Sequence, residues 1–132
     1  MPQLRVNEAA TLLGVSDDTV RRWAEQGRLS LIRTGSGRLV VDGAELARLA
    51  RELGDPAGPH ASSRSARNSL RGIVTKVTRD TVMAQVELQA GPFRVVSLMS
   101  REAADDLGLE GGTVAVASIK ATNVVGERDA HA

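Results

Sequence analysis

A stretch rich in glycine, proline and serine most constrains how this chain of 132 residues can fold. It covers residues 54–63 and reads GDPAGPHASS. Apolar periodicity disappears there, and Pro56 and Pro59 block the continuation of a helix. The segments on either side are small for a domain. We therefore predict two small units, 1–54 and 65–126, joined by a linker over 55–64 and followed by a tail over 127–132.

The first unit has the pattern of two short helices, a hairpin and a third helix. Asn7 and Ser16 suit the N-cap positions of the first two helices, and Gly14 between them suits the left-handed end of the first one. Trp23 falls on the apolar face of the second helix, so we expect it in the core. Short strands on either side of residues 34–37 indicate a hairpin. This order of elements predicts a winged helix-turn-helix.

The second unit shows an alternation of apolar and polar residues that indicates strands. Ser100 is placed to cap one short helix, which Gly108 ends. Five strands and one helix in about sixty residues fit a small OB-like barrel. The predicted fold class is therefore α+β, with an N-terminal winged helix-turn-helix and a C-terminal five-stranded OB-like β-barrel that carries one short helix.

The composition excludes several classes of function. The chain has no cysteine, which excludes disulfides, thiolate metal sites and cysteine nucleophiles. Seventeen Lys and Arg balance sixteen Asp and Glu, so contact with nucleic acid would depend on local patches and not on bulk charge. No apolar run approaches the about 18 residues that span a bilayer, and the N-terminus lacks the hydrophobic region of a signal peptide. We expect a cytoplasmic protein with no membrane partner.

No pattern typical of an enzyme is present, and we expect no catalytic activity. Neither His60 nor His131 forms a plausible triad with a serine and an aspartate, and no P-loop, GxGxxG motif or carboxylate pair stands out. Trp23 and Phe93 are the only aromatic residues, which disfavours a single-strand nucleic-acid binder built on aromatic platforms. Small units packed by aliphatic side chains bury little surface alone, so we also expect a homo-oligomer.

Two segments rich in hydrogen-bond donors stand at the margins of predicted strands: SARN at residues 65–68 and IKATN at residues 119–123. Ser65, Arg67 and Lys120 offer a hydroxyl, a guanidinium and an ammonium group, and neither segment contains an acidic acceptor. The peptide N–H groups of the alanines in both segments can be approached closely past small side chains. A site made of donors alone suits an anion that has no proton to give. Alternatively, Arg67 and Lys120 are ordinary solvated charges at strand ends.

SARN and IKATN resemble the opening and closing motifs of the molbindin family, whose units are also called Mop or TOBE domains. The resemblance covers about residues 65–125, and it implies that the unit binds molybdate or tungstate, often across a subunit boundary. Ser100 either contributes its hydroxyl to the anion or serves only as a helix cap. Family members often carry a ligand-facing serine three residues later, where this chain has Ala103. The implied oxyanion-binding residues are Ser65, Ala66, Arg67, Asn68, Ser100, Lys120 and Ala121.

The first unit resembles the DNA-binding domains of MerR and excisionase proteins. The resemblance rests on VNEAA at 6–10, TVRRW at 19–23, GRL at 27–29 and the wing at 33–38. It implies double-stranded DNA as a partner, with a helix in the major groove and the wing on the backbone or the minor groove. The alternative is a solvated face on a protein-binding helical module. The implied DNA-binding residues are Thr19, Arg21, Arg22, Arg33, Thr34, Ser36 and Arg38.

Two functions are compatible with these patterns. The leading hypothesis is a transcriptional regulator that binds DNA and senses intracellular molybdate or tungstate. The alternative is a molbindin that stores or buffers intracellular molybdate, in which the first unit serves assembly. In both cases we expect a homo-oligomer with ligand sites at its subunit interfaces.

Overall fold

The computed structural model describes residues 2–54 and 64–129. The chain divides into two compact units, Met1–Pro56 and Ala57–Ala132. Apart from Arg64, the predicted linker over 55–64 lies outside the described residues, and so does His131. His60 is part of the linker and is likewise not described. The predicted boundaries of the linker and of the tail stay predictions. None of the helices in the described ranges has the length and apolarity needed to cross a membrane.

The first unit combines three helices with a small antiparallel sheet. Its elements are β1 (Gln3–Arg5), α1 (Val6–Leu13), α2 (Asp17–Glu25), β2 (Leu31–Arg33), β3 (Leu39–Asp42) and α3 (Gly43–Leu53). The strand order is β1-β3-β2, so β3 holds the centre of the sheet. Val20 of α2 and Val41 of β3 are fully buried, and Trp23 is 9% exposed within the same core, as predicted.

The ends of the helices follow local capping chemistry. Ser16 begins α2, and its hydroxyl oxygen accepts the N–H three residues further on at 3.2 Å, as predicted. Gly14 ends α1 in the left-handed conformation at φ 69°, also as predicted. The prediction of Asn7 as the first N-cap was wrong, because the N-cap is Arg5. The side chain of Glu8 accepts the Arg5 N–H at 3.3 Å and so lets the helix begin earlier.

The second unit is an antiparallel sheet with one short helix. Its elements are β4 (Asn68–Arg79), β5 (Met83–Ala90), β6 (Phe93–Ser100), α4 (Arg101–Asp106) and β7 (Val114–Ile119), followed by a 3-10 turn (Ala121–Asn123). The strand order is β6-β5-β4-β7. The predicted class of mixed helix and sheet, with the helix-turn-helix region first and a curled antiparallel sheet with one short helix second, is confirmed.

The described part of this unit contains four strands where five were predicted, because β4 serves two neighbours. This strand is 12 residues long. Residues 68–73 pair with β7, whereas residues 73–79 pair with β5, and the register shifts between Val74 and Lys76. Such an irregularity bends a strand. Shortly before this irregularity, a Cβ at Gly72 would lie 2.3 Å from the carbonyl oxygen of Gln89, so the close approach of the two backbones there requires glycine.

Aliphatic side chains form the interior of the second unit. Val74, Val86 and Leu88 pack there with Leu109, which follows α4. The two outer strands of this sheet, β6 and β7, also expose apolar side chains: Leu98 is 68% and Val116 is 51% exposed. Apolar side chains on an open strand can be covered by association with another chain.

Candidate functional site

The pairing of β4 with β7 brings the two donor-rich segments together. Asn68, the last residue of SARN, is paired with Ile119, the first residue of IKATN, although the two are 51 positions apart. The side chain of Asn68 reinforces this pair, because its Nδ2 donates to the Ile119 carbonyl oxygen at 3.1 Å. Residues 65–67 therefore enter this end of the sheet where residues 120–121 leave it. All the predicted oxyanion-binding residues except Ser100 meet here.

Strand alternation determines which side chains share a face. Exposed and half-buried residues alternate along β7, and Ser118 and Lys120 are both exposed. Arg67 and Ser69 are both exposed on the partner strand. Ser69 is paired directly with Ser118, and directly opposite residues of an antiparallel pair point to the same face. Arg67 and Lys120, each two positions further out, are therefore expected on this same outer face.

The charges at this end of the sheet are positive and lack carboxylate partners within residues 2–54 and 64–129. No aspartate or glutamate occurs in residues 64–78 or 113–126, the two stretches that form it. Among the described residues, Arg67 and Lys120 take part in no ion pair. The ion pairs of this unit lie elsewhere, as in the 3.0 Å contact between Arg79 Nε and Asp105 Oδ1. Two unpaired cations with hydroxyl groups beside them can accept a small anion.

The chain turns sharply after Lys120 and presents main-chain groups next to these cations. Ala121–Asn123 form the 3-10 turn, and Asn123 N–H donates to the Lys120 carbonyl oxygen at 2.9 Å. The first amides of such a turn have no hydrogen-bond partner within it. Ala121 is exposed, and its methyl group leaves room for a ligand oxygen near the N–H.

Ser100 lies at the other end of β5 and β6. It is paired with Met83 at the start of β5, close in sequence to the end of β4. Its Oγ accepts the Ala103 N–H at 3.1 Å, so it is the N-cap of α4, one of the two roles expected for it. Within one chain, Ser100 therefore lies near the end of β4, whereas the other predicted ligand residues lie at the start of this 12-residue strand. A contact between Ser100 and an anion stays a prediction that would require a second copy of the chain.

The end of the sheet that carries Ser100 is acidic. Asp80 closes the turn between β4 and β5, where its Oδ1 accepts the Met83 N–H at 2.6 Å and the Val82 N–H at 2.7 Å. These two bonds, and secondarily the charge of Arg101, hold the pKa of Asp80 below its ordinary value. The carboxylate therefore stays ionised. This end is a less favourable place for an anion than the end where SARN and IKATN meet.

Sequence reasoning missed Arg64, which it assigned to the linker. Arg64 Nη1 donates to Ser118 Oγ at 2.9 Å, so this side chain lies against β7 beside the candidate site. Its Nε is shielded from solvent and has no hydrogen-bond partner in the part of the chain that the structure describes. The signal available in the sequence was a third cation immediately before SARN.

A pocket between the curled strands, partly open to solvent, has a different character. It has a volume of about 470 Å³ and is lined by aliphatic side chains and small polar ones, among them Val86, Met99 and Val114, with no charged residue. A dianion would be poorly stabilised there, because desolvating charge without partners is costly. The described residues also contain no group of three or more His, Cys, Asp or Glu side chains that could hold a metal ion.

Of the predicted DNA-binding residues of α2, Arg21 and Arg22 are exposed and Thr19 is half-buried. Thr19 Oγ1 lies 3.0 Å from the Oγ of Ser16, at the cap of the helix. Arg22 Nη2 donates to the same Thr19 Oγ1 at 3.2 Å. Arg21 forms an exposed ion pair with Asp18 at 3.5 Å, and such pairs are weak enough to be exchanged for a phosphate. Both arginines therefore remain available at the helix surface.

The predicted wing is a short turn that its own side chains stabilise. Arg33 Nη1 donates to the Gly37 carbonyl oxygen at 2.6 Å, and the hydroxyls of Thr34 and Ser36 lie 2.9 Å apart. Arg33 thus holds the wing in shape with part of its guanidinium group. The side chain of Arg38 is exposed and has no partner in the described ranges. Arg38 is therefore the wing cation most available to a partner.

Comparison with protein families divides the chain in two. A TOBE domain profile matches residues 64–125, and a helix-turn-helix domain profile matches residues 4–54. Molybdenum-pterin-binding protein 3 from Clostridium pasteurianum is 44% identical over 62 residues, which cover 46% of this chain and 91% of that protein. Molybdenum-pterin-binding protein 1 from the same organism is 36% identical with the same coverage.

Among solved structures, a molybdate-binding protein from Sporomusa ovata is 27% identical to this chain. The match covers 50% of this chain and 98% of the Sporomusa chain, with a TM-score of 0.49.

Proposed function

We propose that this chain, which belongs through its TOBE domain to the family of the molybdenum-pterin-binding proteins, is a DNA-binding regulator that responds to molybdate or tungstate. The observation that carries the proposal is the meeting of SARN and IKATN at one end of the β4–β7 pair, where Arg67 and Lys120 have no carboxylate partner among the described residues. The helix-turn-helix domain adds the means to read DNA.

The chemistry of this end of the sheet suits a tetrahedral dianion. Arg67 and Lys120 supply positive charge, Ser65 supplies a hydroxyl, and the turn at Ala121 supplies a main-chain N–H group. Molybdate and tungstate carry two negative charges and no proton at neutral pH, so they need donors and no acceptors. Charge-assisted hydrogen bonds from several directions offset the cost of desolvating such an ion. Asn68 serves by holding the two strands together.

In the first unit, the exposed cations of α2 and of the wing support a role in DNA binding. Arg21 and Arg22 lie on the exposed side of α2, and Arg38 projects from the wing without a partner among the described residues. In helix-turn-helix proteins the second helix enters the major groove, and neighbouring cations contact phosphates. The wing keeps its shape through Arg33, Thr34 and Ser36, which also offer polar groups to the sugar-phosphate backbone of DNA.

We further propose a homo-oligomer with anion sites at its subunit interfaces. The outer strands β6 and β7 expose apolar side chains such as Leu98 and Val116, and a second copy could cover them. An anion bound only by the assembled form would favour assembly by mass action, which couples the ligand to the arrangement of the DNA-binding units. The proposed regulator would act in the cytoplasm, on double-stranded DNA.

A specific observation also supports storage or buffering of molybdate as a second function. The Clostridium relatives match over 91% of their own length with the C-terminal unit of this chain, so they have little beyond this unit. Anion binding of that kind would not need the first unit, which could then serve assembly alone.

One pair of measurements tests the proposal and separates the two functions. The full chain is titrated with sodium molybdate by calorimetry, and its binding to DNA from upstream of its own gene is followed by gel shift with and without molybdate. A regulator binds both, and molybdate changes its DNA affinity. Binding of molybdate without any binding of DNA supports storage, and absence of molybdate binding overturns the proposed function.

A further inference from the structure

Arg64 has an unusual environment for a surface cation. Its Nη1 is fixed to Ser118 Oγ at 2.9 Å, while its Nε is out of contact with solvent and has no hydrogen-bond partner in the described segments. Buried polar groups in proteins almost always have a partner, so a shielded N–H without an acceptor requires an explanation. An acceptor brought by a ligand would supply one.

The anchor of Arg64 lies beside the proposed anion site. Ser118 and Lys120 are alternate residues of an extended segment, so they share a face and stand about 6.6 Å apart along the strand. Ser118 is paired with Ser69, two positions from Arg67 on the neighbouring strand. A guanidinium group held at Ser118 is therefore flanked by Lys120 on its own strand and Arg67 across the pair.

Among the described residues, no acidic side chain is paired with the Arg64 guanidinium group. Residues 64–78 and 113–126 contain no aspartate or glutamate, and Arg64 forms no ion pair with the rest of the described chain. By contrast, Arg79, Arg94 and Arg101 of the same unit are each paired with a carboxylate. Cations gathered on one face repel one another until an anion binds among them.

We infer that Arg64 is a further contact residue of the oxyanion site and that its charge makes the site prefer doubly charged over singly charged tetrahedral anions. This inference rests on the proposed function. A guanidinium group has five N–H donors, and the bond to Ser118 occupies only one of them. That bond fixes the orientation of the group, so the remaining donors face a ligand with little loss of side-chain freedom.

The test compares two charge-removing variants on the same strand. Arg64→Gln removes the proposed contact. Arg71→Gln removes an equal charge from an exposed position paired with Val116, four residues and about 13 Å along the strand from Arg67. Both full-length variants and the wild type are titrated at constant ionic strength with sodium molybdate and with sodium perrhenate, a tetrahedral anion of similar shape with one charge. Arg64→Lys is measured in parallel, and thermal unfolding checks that each variant is folded.

We expect Arg64→Gln to weaken molybdate binding by about 10- to 100-fold, the range for a hydrogen bond to a charged group, and to weaken perrhenate binding less. Arg64→Lys should restore part of the affinity, and Arg71→Gln should stay within about twofold of wild type, because its charge is screened by solvent. Equal affinity in Arg64→Gln and wild type overturns the inference, as do equal losses in both Gln variants or equal losses for both anions. Those results leave the proposed function intact, whereas a wild type that binds no molybdate overturns both.

Discussion

At the scale of single residues, the candidate site depends on side chains that do not stabilise the fold. Arg67 and Lys120 lie at strand margins, are exposed and form no ion pair with the rest of the described chain. Asn68 has the opposite role, because its amide joins the two strands. Substitutions of the exposed cations should therefore change ligand affinity while leaving the unfolding free energy nearly constant.

We predict that Lys120→Ala lowers molybdate affinity by roughly 2–4 kcal/mol, because a largely desolvated dianion loses a charge-assisted partner. Ser65→Ala should cost about 1 kcal/mol, since it removes one neutral donor. Calorimetric titration of the two variants measures both effects, with chemical unfolding as the control for the fold. Unchanged affinity in Lys120→Ala would locate the anion elsewhere or show that this domain does not bind it.

At the scale of secondary-structure elements, the geometry of β4 decides how the site is built. This one strand pairs with β7 beside the candidate site and with β5 beyond the bend. Gly72 permits the close pairing of β4 with β5, because its missing side chain lets the carbonyl oxygen of Gln89 come close. The shape of the wing in the first unit also depends on a few residues, because the Arg33 side chain donates a hydrogen bond to the carbonyl oxygen of Gly37.

Gly72→Ala is expected to destabilise the second unit by about 1–3 kcal/mol, the usual cost of forcing extra volume into a packed position. The backbone must move, because the added Cβ would meet the Gln89 carbonyl oxygen at 2.3 Å. Urea unfolding followed by circular dichroism gives the difference in free energy. Gly126→Ala is the matched control, since a Cβ there meets nothing within 4 Å. Equal stability of the two variants would show that the strands do not approach so closely at Gly72.

We also predict that Arg22→Ala and Arg38→Ala each weaken DNA binding without changing molybdate affinity. Each lost phosphate contact should lower the slope of log affinity against log salt by about one. Fluorescence anisotropy with labelled upstream DNA at several salt concentrations measures the slope. Arg51→Ala on α3 removes the same charge outside the helix-turn-helix and the wing, and it should leave the slope unchanged. Wild-type slopes in both test variants would contradict the assignment of these residues to DNA.

At the scale of the whole molecule, the chain contains two units of different character. The first has exposed cations on α2 and on the wing. The second has Arg67 and Lys120 at one end of its sheet, where they form no ion pair with the described residues. The second unit has a small aliphatic interior and exposes apolar side chains on its outer strands β6 and β7. A unit of this size buries a limited fraction of its surface. Self-association of the second unit would add buried apolar area and could complete anion sites between copies.

The segment 65–125 alone should fold and self-associate. Its strands, its helix and its apolar cluster lie within this range, so its core does not depend on the first unit. Sedimentation equilibrium of the fragment should show an oligomer, and Leu98→Lys, which places a charge on an exposed apolar position of β6, should shift it toward smaller species. A stable, folded monomer of the unaltered fragment would refute this prediction.

The sequence by itself determined the features that depend on neighbouring residues. Ser16 and Ser100 cap helices, Gly14 ends one, and Trp23 lies in the core, because caps and helical faces involve residues only a few positions apart. The prediction failed at Asn7, because the Glu8 side chain accepts the N–H of Arg5 and the helix begins two residues earlier than predicted, at Val6.

Only the tertiary structure decided which distant residues meet. The register that pairs Asn68 with Ile119 unites two motifs 51 positions apart, and the same sheet leaves Ser100 at its other end. Because β4 is long enough to pair with two neighbours, the described part of the unit has four strands and not the expected five. The path of the chain before β4 places Arg64 in contact with Ser118. These results depend on strand register and on the irregularity of β4 between Val74 and Lys76, which arise from the packing of the whole sheet and leave no local pattern in the sequence.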